Sequence, residues 1–170
     1  MKSSSRISFI PLFSILLVVF LSPPLFADDS LKPFLINLKG WQGEAPQAMN
    51  MDMNGVKMIN AVRSYEKGDK TIAATVMITS LQMGMASFQQ MNMSQGGIKV
   101  ETIQMDGFKV VRTHDGNENS GNIMILLGET KESSALFSMG YEGLSDKESL
   151  ALAKGFDWKG MKKAAKKLMK

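Results

Sequence analysis

From Val56 to about residue 140, apolar and polar positions alternate in short runs that read as β-strands. Val56 to Tyr65 is the first run. Glu66-Lys67-Gly68-Asp69 turns the chain, and Ile72, Ala74, Val76 and Ile78 alternate along the return, which predicts a hairpin. In a second series Ile98, Val100 and Thr102 alternate, Asp106-Gly107 makes a tight turn, and Phe108 to Thr113 comes back. The polar loop from His114 to Gly121 leads into Ile123–Leu127. That run is apolar on both faces, as a central strand covered on both sides would be. Ala135 to Met139 completes the strands.

The period then changes. Ser145 and Glu148 fit a capping box, with Leu150, Ala151 and Ala153 behind them and Gly155 where a helix would stop. Asp157 is placed to cap a second helix. There Trp158, Met161, Ala165 and Leu168 make one apolar stripe and lysines fill the rest. Leu81, Met85, Phe88 and Met91 are spaced as a further helix face, which would turn Met83 and Met93 away from the sheet. Residues 28–55, punctuated by Pro33, Gly40, Gly43 and Pro46, predict an irregular N-terminal segment. The expected fold is α+β, an antiparallel sheet of five or six strands with C-terminal helices packed on it. Residues 56–170 form the remainder of one domain.

The first twenty-seven residues follow a different logic. Lys2 and Arg6 precede an apolar run from Leu12 to Leu21, and Pro23-Pro24 lies shortly before Ala27. This order predicts a signal peptide at residues 1–27, cleavage near Ala27, and a periplasmic or secreted product. Leu25 departs from the small residue expected three positions before the cut. Ile7 to Phe26 is also long enough to remain as an uncleaved anchor, although Pro11, Pro23 and Pro24 argue against a continuous helix. Without cysteine there are no disulfides, thiolate metal sites or cysteine nucleophiles, and no lipid attachment at a cleavage-site cysteine.

The net charge of +4 conceals two unlike regions. Residues 28–158 hold 16 acids and 12 bases, whereas the stretch from Lys159 to Lys170 holds six lysines and no acid. A nucleic-acid binder would carry its basic face on the folded body, so no nucleic-acid partner is expected. Membrane contact is expected only through the Lys-rich tail, and a solvated helix face is the preferred account of that tail.

The layout resembles that of small exported PsbP-like proteins. The residues that suggest it are Arg63-Ser64-Tyr65, Gly68-Asp69-Lys70, Ala135-Leu136-Phe137, Met139-Gly140 and Phe156-Asp157-Trp158-Lys159. The resemblance spans about residues 31–168. It implies an α/β/α sandwich serving as an accessory or binding module, and it carries over no functional residue.

Catalytic signatures fail one by one. Ser64-Tyr65-Glu66-Lys67 matches a serine–lysine pattern but falls at a strand end rather than on a helix turn. Asp115 to Asn119 begins like a calcium loop, yet Ser120 stands where glycine is needed and Leu126 where glutamate is needed. The single histidine, His114, excludes paired-histidine chemistry. The expected role is a non-enzymatic binding or accessory protein for an unidentified protein or small ligand, without a cofactor.

Methionine supplies the other chemical signal. Met49, Met51, Met53, Met83, Met85, Met91 and Met93 cluster with M-x-M spacing, which puts successive thioethers on one side of an extended chain. Thioether sulfur suits Cu(I), and by the same softness Ag(I). The alternative expectation is therefore a Cu(I)- or Ag(I)-binding periplasmic protein, with His114 as a further donor if its loop folds toward the sulfurs. The competing account makes the same residues core filling or a pliable apolar surface.

Overall fold

The computed structural model describes residues 29–80 and 92–169. The signal peptide expected at residues 1–27 and the helix face expected from Leu81 to Met91 lie outside the described residues. The described chain is α+β. Its antiparallel sheet has nine strands, larger than the five or six expected from the sequence, and two short helices close the chain. The strands are β1 (Gln42–Gly43), β2 (Gln47–Met53), β3 (Val56–Lys67), β4 (Lys70–Thr79), β5 (Asn92–Gln95), β6 (Ile98–Met105), β7 (Phe108–Asp115), β8 (Ser120–Glu129) and β9 (Ser134–Glu142). The helices are α1 (Asp146–Ala153) and α2 (Trp158–Leu168).

Across the sheet the order is β1-β3-β4-β9-β8-β7-β6-β5, with β2 beside β1 on the same flank of β3. Strands β5 to β9 are a plain meander, and β1 to β4 pair only among themselves apart from one junction. That junction is the β4–β9 seam, where Thr79 meets Ser134 and Thr71 meets Glu142.

Two of the additional strands, β5 and β2, have physical explanations. Strand β5 is a four-residue edge piece exposed throughout, so burial leaves no alternation in it to read. The stretch expected to be irregular contains β2. Asn54 and Gly55 both have positive φ, at 54° and 82°, and turn β2 directly into β3. Upstream, Leu31, Leu35 and Leu38 are buried, and Arg63 and Tyr65 hold the backbone beside them. The Arg63 guanidinium donates to the Leu35 carbonyl (2.7 Å) and the Asn37 side chain, and the Tyr65 hydroxyl donates to the Ile36 carbonyl (2.8 Å).

One face of the sheet carries the main core. Ile72, Ala74, Val76 and Ile78 of β4 are buried as their alternation required, facing Phe137 and Met139 of β9 and Ile123 and Ile125 of β8. Against this face pack Trp158, Met161 and Ala165 of α2, together with Phe156 and the short 3₁₀ turn at Asp29–Phe34. The opposite face holds a smaller cluster around Val111 and Leu136, with Met77, Val100, Met124 and Leu126 partly buried.

Both helix starts follow the sequence. Asp157 accepts from the Gly160 amide at the head of α2. At α1 the capping box is complete: the Glu148 amide donates to Ser145 Oγ, and the Ser145 amide donates back to the Glu148 carboxylate. Lys70 adds a 3.0 Å ion pair. The Ser145 hydroxyl, then its amide, then Lys70 hold the Glu148 pKa down to about 2. The folded pKa lies below the unfolded one, so this stabilisation is complete above about pH 4.5 and is lost as pH falls toward 2. Urea midpoints measured through that window should fall less steeply for Glu148→Gln than for the native chain. Equal slopes would remove Glu148 as a source of acid lability.

Candidate functional site

Strand parity sorts the chemistry-bearing residues between the faces, because neighbouring residues on a strand point to opposite sides. The Asn54-Gly55 turn fixes the β2–β3 register: Met51 lies opposite Met58, Met49 opposite Asn60, and Asn60 in turn opposite Met77 of β4. Met49, Met51, Met58, Asn60 and Met77 therefore share the face away from the helices. Directly paired side chains on one face have Cβ atoms roughly 4.5–5.5 Å apart, close enough for the Met51 and Met58 sulfurs to reach one ion. Met49 sits two residues along the same edge strand and is 50% exposed. Met51, Met58 and Met77 are half-buried.

Among these sulfurs lies an unusual oxygen. Asn60 Oδ1 is sealed from solvent and has no hydrogen-bond partner among the described residues. A buried carbonyl oxygen left unpaired costs about 1–3 kcal/mol, so the patch has a built-in demand for a donor.

Of the other methionines expected to join this group, Met53 ends the same strand two residues beyond Met51, opposite Val56. Met83, Met85 and Met91 lie outside the described residues. Met93 is on β5, opposite Val100 and 58% exposed, at the far edge of the sheet. Seven strand spacings separate it from β2, on the order of 34 Å along the sheet. Met93 and the β2 methionines are not brought together around one ion.

His114 is not brought to the patch either. It shares strand parity with Val110, on the helix-bearing face. Its Nδ1 lies 3.0 Å from the Tyr141 hydroxyl, and the two rings stack. Burial raises the Tyr141 pKa, against the lowering effect of its side-chain hydrogen bond with Ser149. Nearby, Arg112 donates to both Asp146 oxygens at 2.8 Å and pairs with Glu101. These carboxylates lie close together, but the guanidinium between them occupies both. They anchor α1 to β6 and β7 rather than forming a free acid–base pair.

The remaining motif candidates resolve as local structure. Asp115 Oδ1 accepts from the Asn117 amide (2.8 Å), and Asn117 Nδ2 donates to the Gly96 carbonyl (3.1 Å), so this loop spends its oxygens on its own turn. Ser64 and Lys67 lie on one strand three residues apart and point to opposite faces. Among the described residues, no three His, Asp or Glu side chains converge as a metal site. The roomier recesses are about 620 Å³ beside Ser64, Ala73 and Gly140, and about 500 Å³ beside Lys57, Thr130 and Ser133.

Met58, Asn60 and Met77 were not part of the ligand set expected from the sequence. The signal that could have found them is Asn54-Gly55, the strongest short hairpin cue, from which the whole register follows. No protein-family model, curated protein or solved structure matches this chain.

Proposed function

We propose that this protein is an exported, non-enzymatic binding module whose site is the β2–β3 methionine patch, and that it takes a soft monovalent cation, Cu(I) or Ag(I). The observation that carries this reading is the cross-strand register, with Met51 facing Met58 and Met49 on the same side of β2. Two or three thioethers on adjacent strands offer a d¹⁰ ion soft donors that do not oxidise to disulfides, while harder cations find little there. Export rests on the charged, apolar and small-residue order of residues 1–27. A PsbP-like α/β/α sandwich belongs to the same proposal. The second apolar cluster around Val111 and Leu136 supports a sheet buried on both faces.

A specific observation favours a second reading. Asn60 Oδ1 asks for an N–H or O–H donor, which a bare metal ion does not bring. A protein partner could supply that donor while covering Met49, and methionine adapts readily to such contacts.

Cu(I) titration against a competing chelator separates the two, comparing the native protein with the M49L/M51L/M58L variant. Leucine keeps most of the volume and removes the sulfur. The metal reading expects the variant to lose at least tenfold in affinity, about 1.4 kcal/mol, with its unfolding midpoint little changed. Equal, weak binding by both proteins would rule out the ion and leave the contact surface.

A further inference from the structure

Helix α2 carries a charge distribution that its own fold does not use. Trp158, Met161 and Ala165 are buried against the sheet and Leu168 packs beside them partly buried, so the apolar stripe is taken up by the fold. Lys159, Lys162, Lys163, Lys166 and Lys167 are all exposed. At about 100° and 1.5 Å per residue, the five fall within an arc of about 140° and a length of about 12 Å. None has a carboxylate partner among the described residues. Lys162 leans back, its ammonium 5.5 Å from the centre of the Phe108 ring.

This arrangement opposes the helix's own stability. Five lysine pairs stand three or four residues apart, each repulsive on a helix surface. Only Lys166 and Lys167, in the last turn, gain from the helix dipole. The rest of the chain from residue 28 to residue 158 has an excess of acids, so the positive charge is concentrated on one ridge.

We infer that the α2 ridge is a docking surface for an anionic phospholipid membrane. A straight, convex ridge meets a plane along its whole length and keeps the acidic body away from it. A polyanion that wraps, such as nucleic acid, would instead require basic residues continuing around the body. The mode of contact follows from the buried stripe. With no apolar face left to insert, binding is peripheral and reversed by salt. Each lysine near such a surface contributes about fivefold to the partition coefficient. The inference is independent of the methionine patch.

The test is sedimentation of the whole protein with vesicles of phosphatidylglycerol and phosphatidylcholine, and with phosphatidylcholine alone. The variant K159Q/K163Q/K166Q/K167Q leaves Lys162 and its ring contact in place. Native protein should bind the anionic vesicles at low salt, release them at high salt, and ignore the neutral ones. The variant should bind on the order of 100-fold more weakly or worse, and its thermal midpoint should equal or exceed the native one because repulsion has been removed. Equal binding by both proteins would overturn the inference, as would binding that survives high salt. Failure of the native protein to bind at low salt, or displacement of the vesicles by double-stranded DNA, would overturn it as well.

Discussion

Replacing Phe137 with alanine should lower stability by about 3–5 kcal/mol, the range for truncating a fully buried aromatic ring. Phe137 has no solvent exposure and sits on β9 between Val76 of β4 and Ile125 of β8. Its ring lies 4.9 Å from that of Phe156, in the chain that joins the two helices. The substitution therefore opens a cavity where sheet and helical layer meet, bounded by strands that cannot close in without breaking their ladders. Domains of this size have only about 5–15 kcal/mol in total, so the variant should be close to unfolding at ambient temperature. Urea unfolding followed by circular dichroism measures the loss, and Phe137→Leu should recover most of it. A cost below about 1 kcal/mol for the alanine variant would mean that this layer is not packed as described.

A loss of about 2–3 kcal/mol is expected for Arg112→Met. The Arg112 side chain is 13% exposed and neutralises Glu101, at 14%, and Asp146, at 35%. Removing one member of a fully buried pair costs about 3–5 kcal/mol because the other charge is stranded. Two features reduce the loss here: Asp146 retains contact with water, and Lys99 still pairs with Glu101 at 2.8 Å. Adding Glu101→Gln to the Arg112→Met background should restore part of the stability, since it removes the more buried stranded charge. Asp146 opens α1, so amide exchange in Asp146–Ala153 should accelerate in Arg112→Met more than exchange in β4. An Arg112→Met variant as stable as the native chain would reduce the network to a surface ornament.

The parts of the fold that could be read from the sequence are those whose local signals agree with burial. Strand β4 alternates cleanly because one face is core, and both helices announce themselves through Ser145, Glu148 and Asp157. Strand β2 was harder to see. Gln47, Asn50 and Asp52 are poor strand formers, and what makes them a strand is pairing with β3 across Asn54-Gly55. The candidate site was half legible for the same reason. The M-x-M spacing identified Met49 and Met51, but the partners facing them depend on register, and Met58 and Met77 look like ordinary strand residues until the strands are laid side by side. No sequence signal places Met93 at the opposite edge, because that depends on the order in which whole strands assemble.

The β4–β9 seam also orders events during folding. Within each half of the sheet, neighbouring strands are near neighbours in sequence, and their ladders close short loops. Across the seam the paired residues lie roughly 55 to 70 residues apart, the longest loop any strand pair must close. Two sub-assemblies that form by local zippering are thus joined by one slow encounter, and the folding rate is set by the chance that β4 and β9 meet in register. Weakening that junction slows the search itself, while weakening an outer strand such as β5 mainly hastens the escape from the finished sheet.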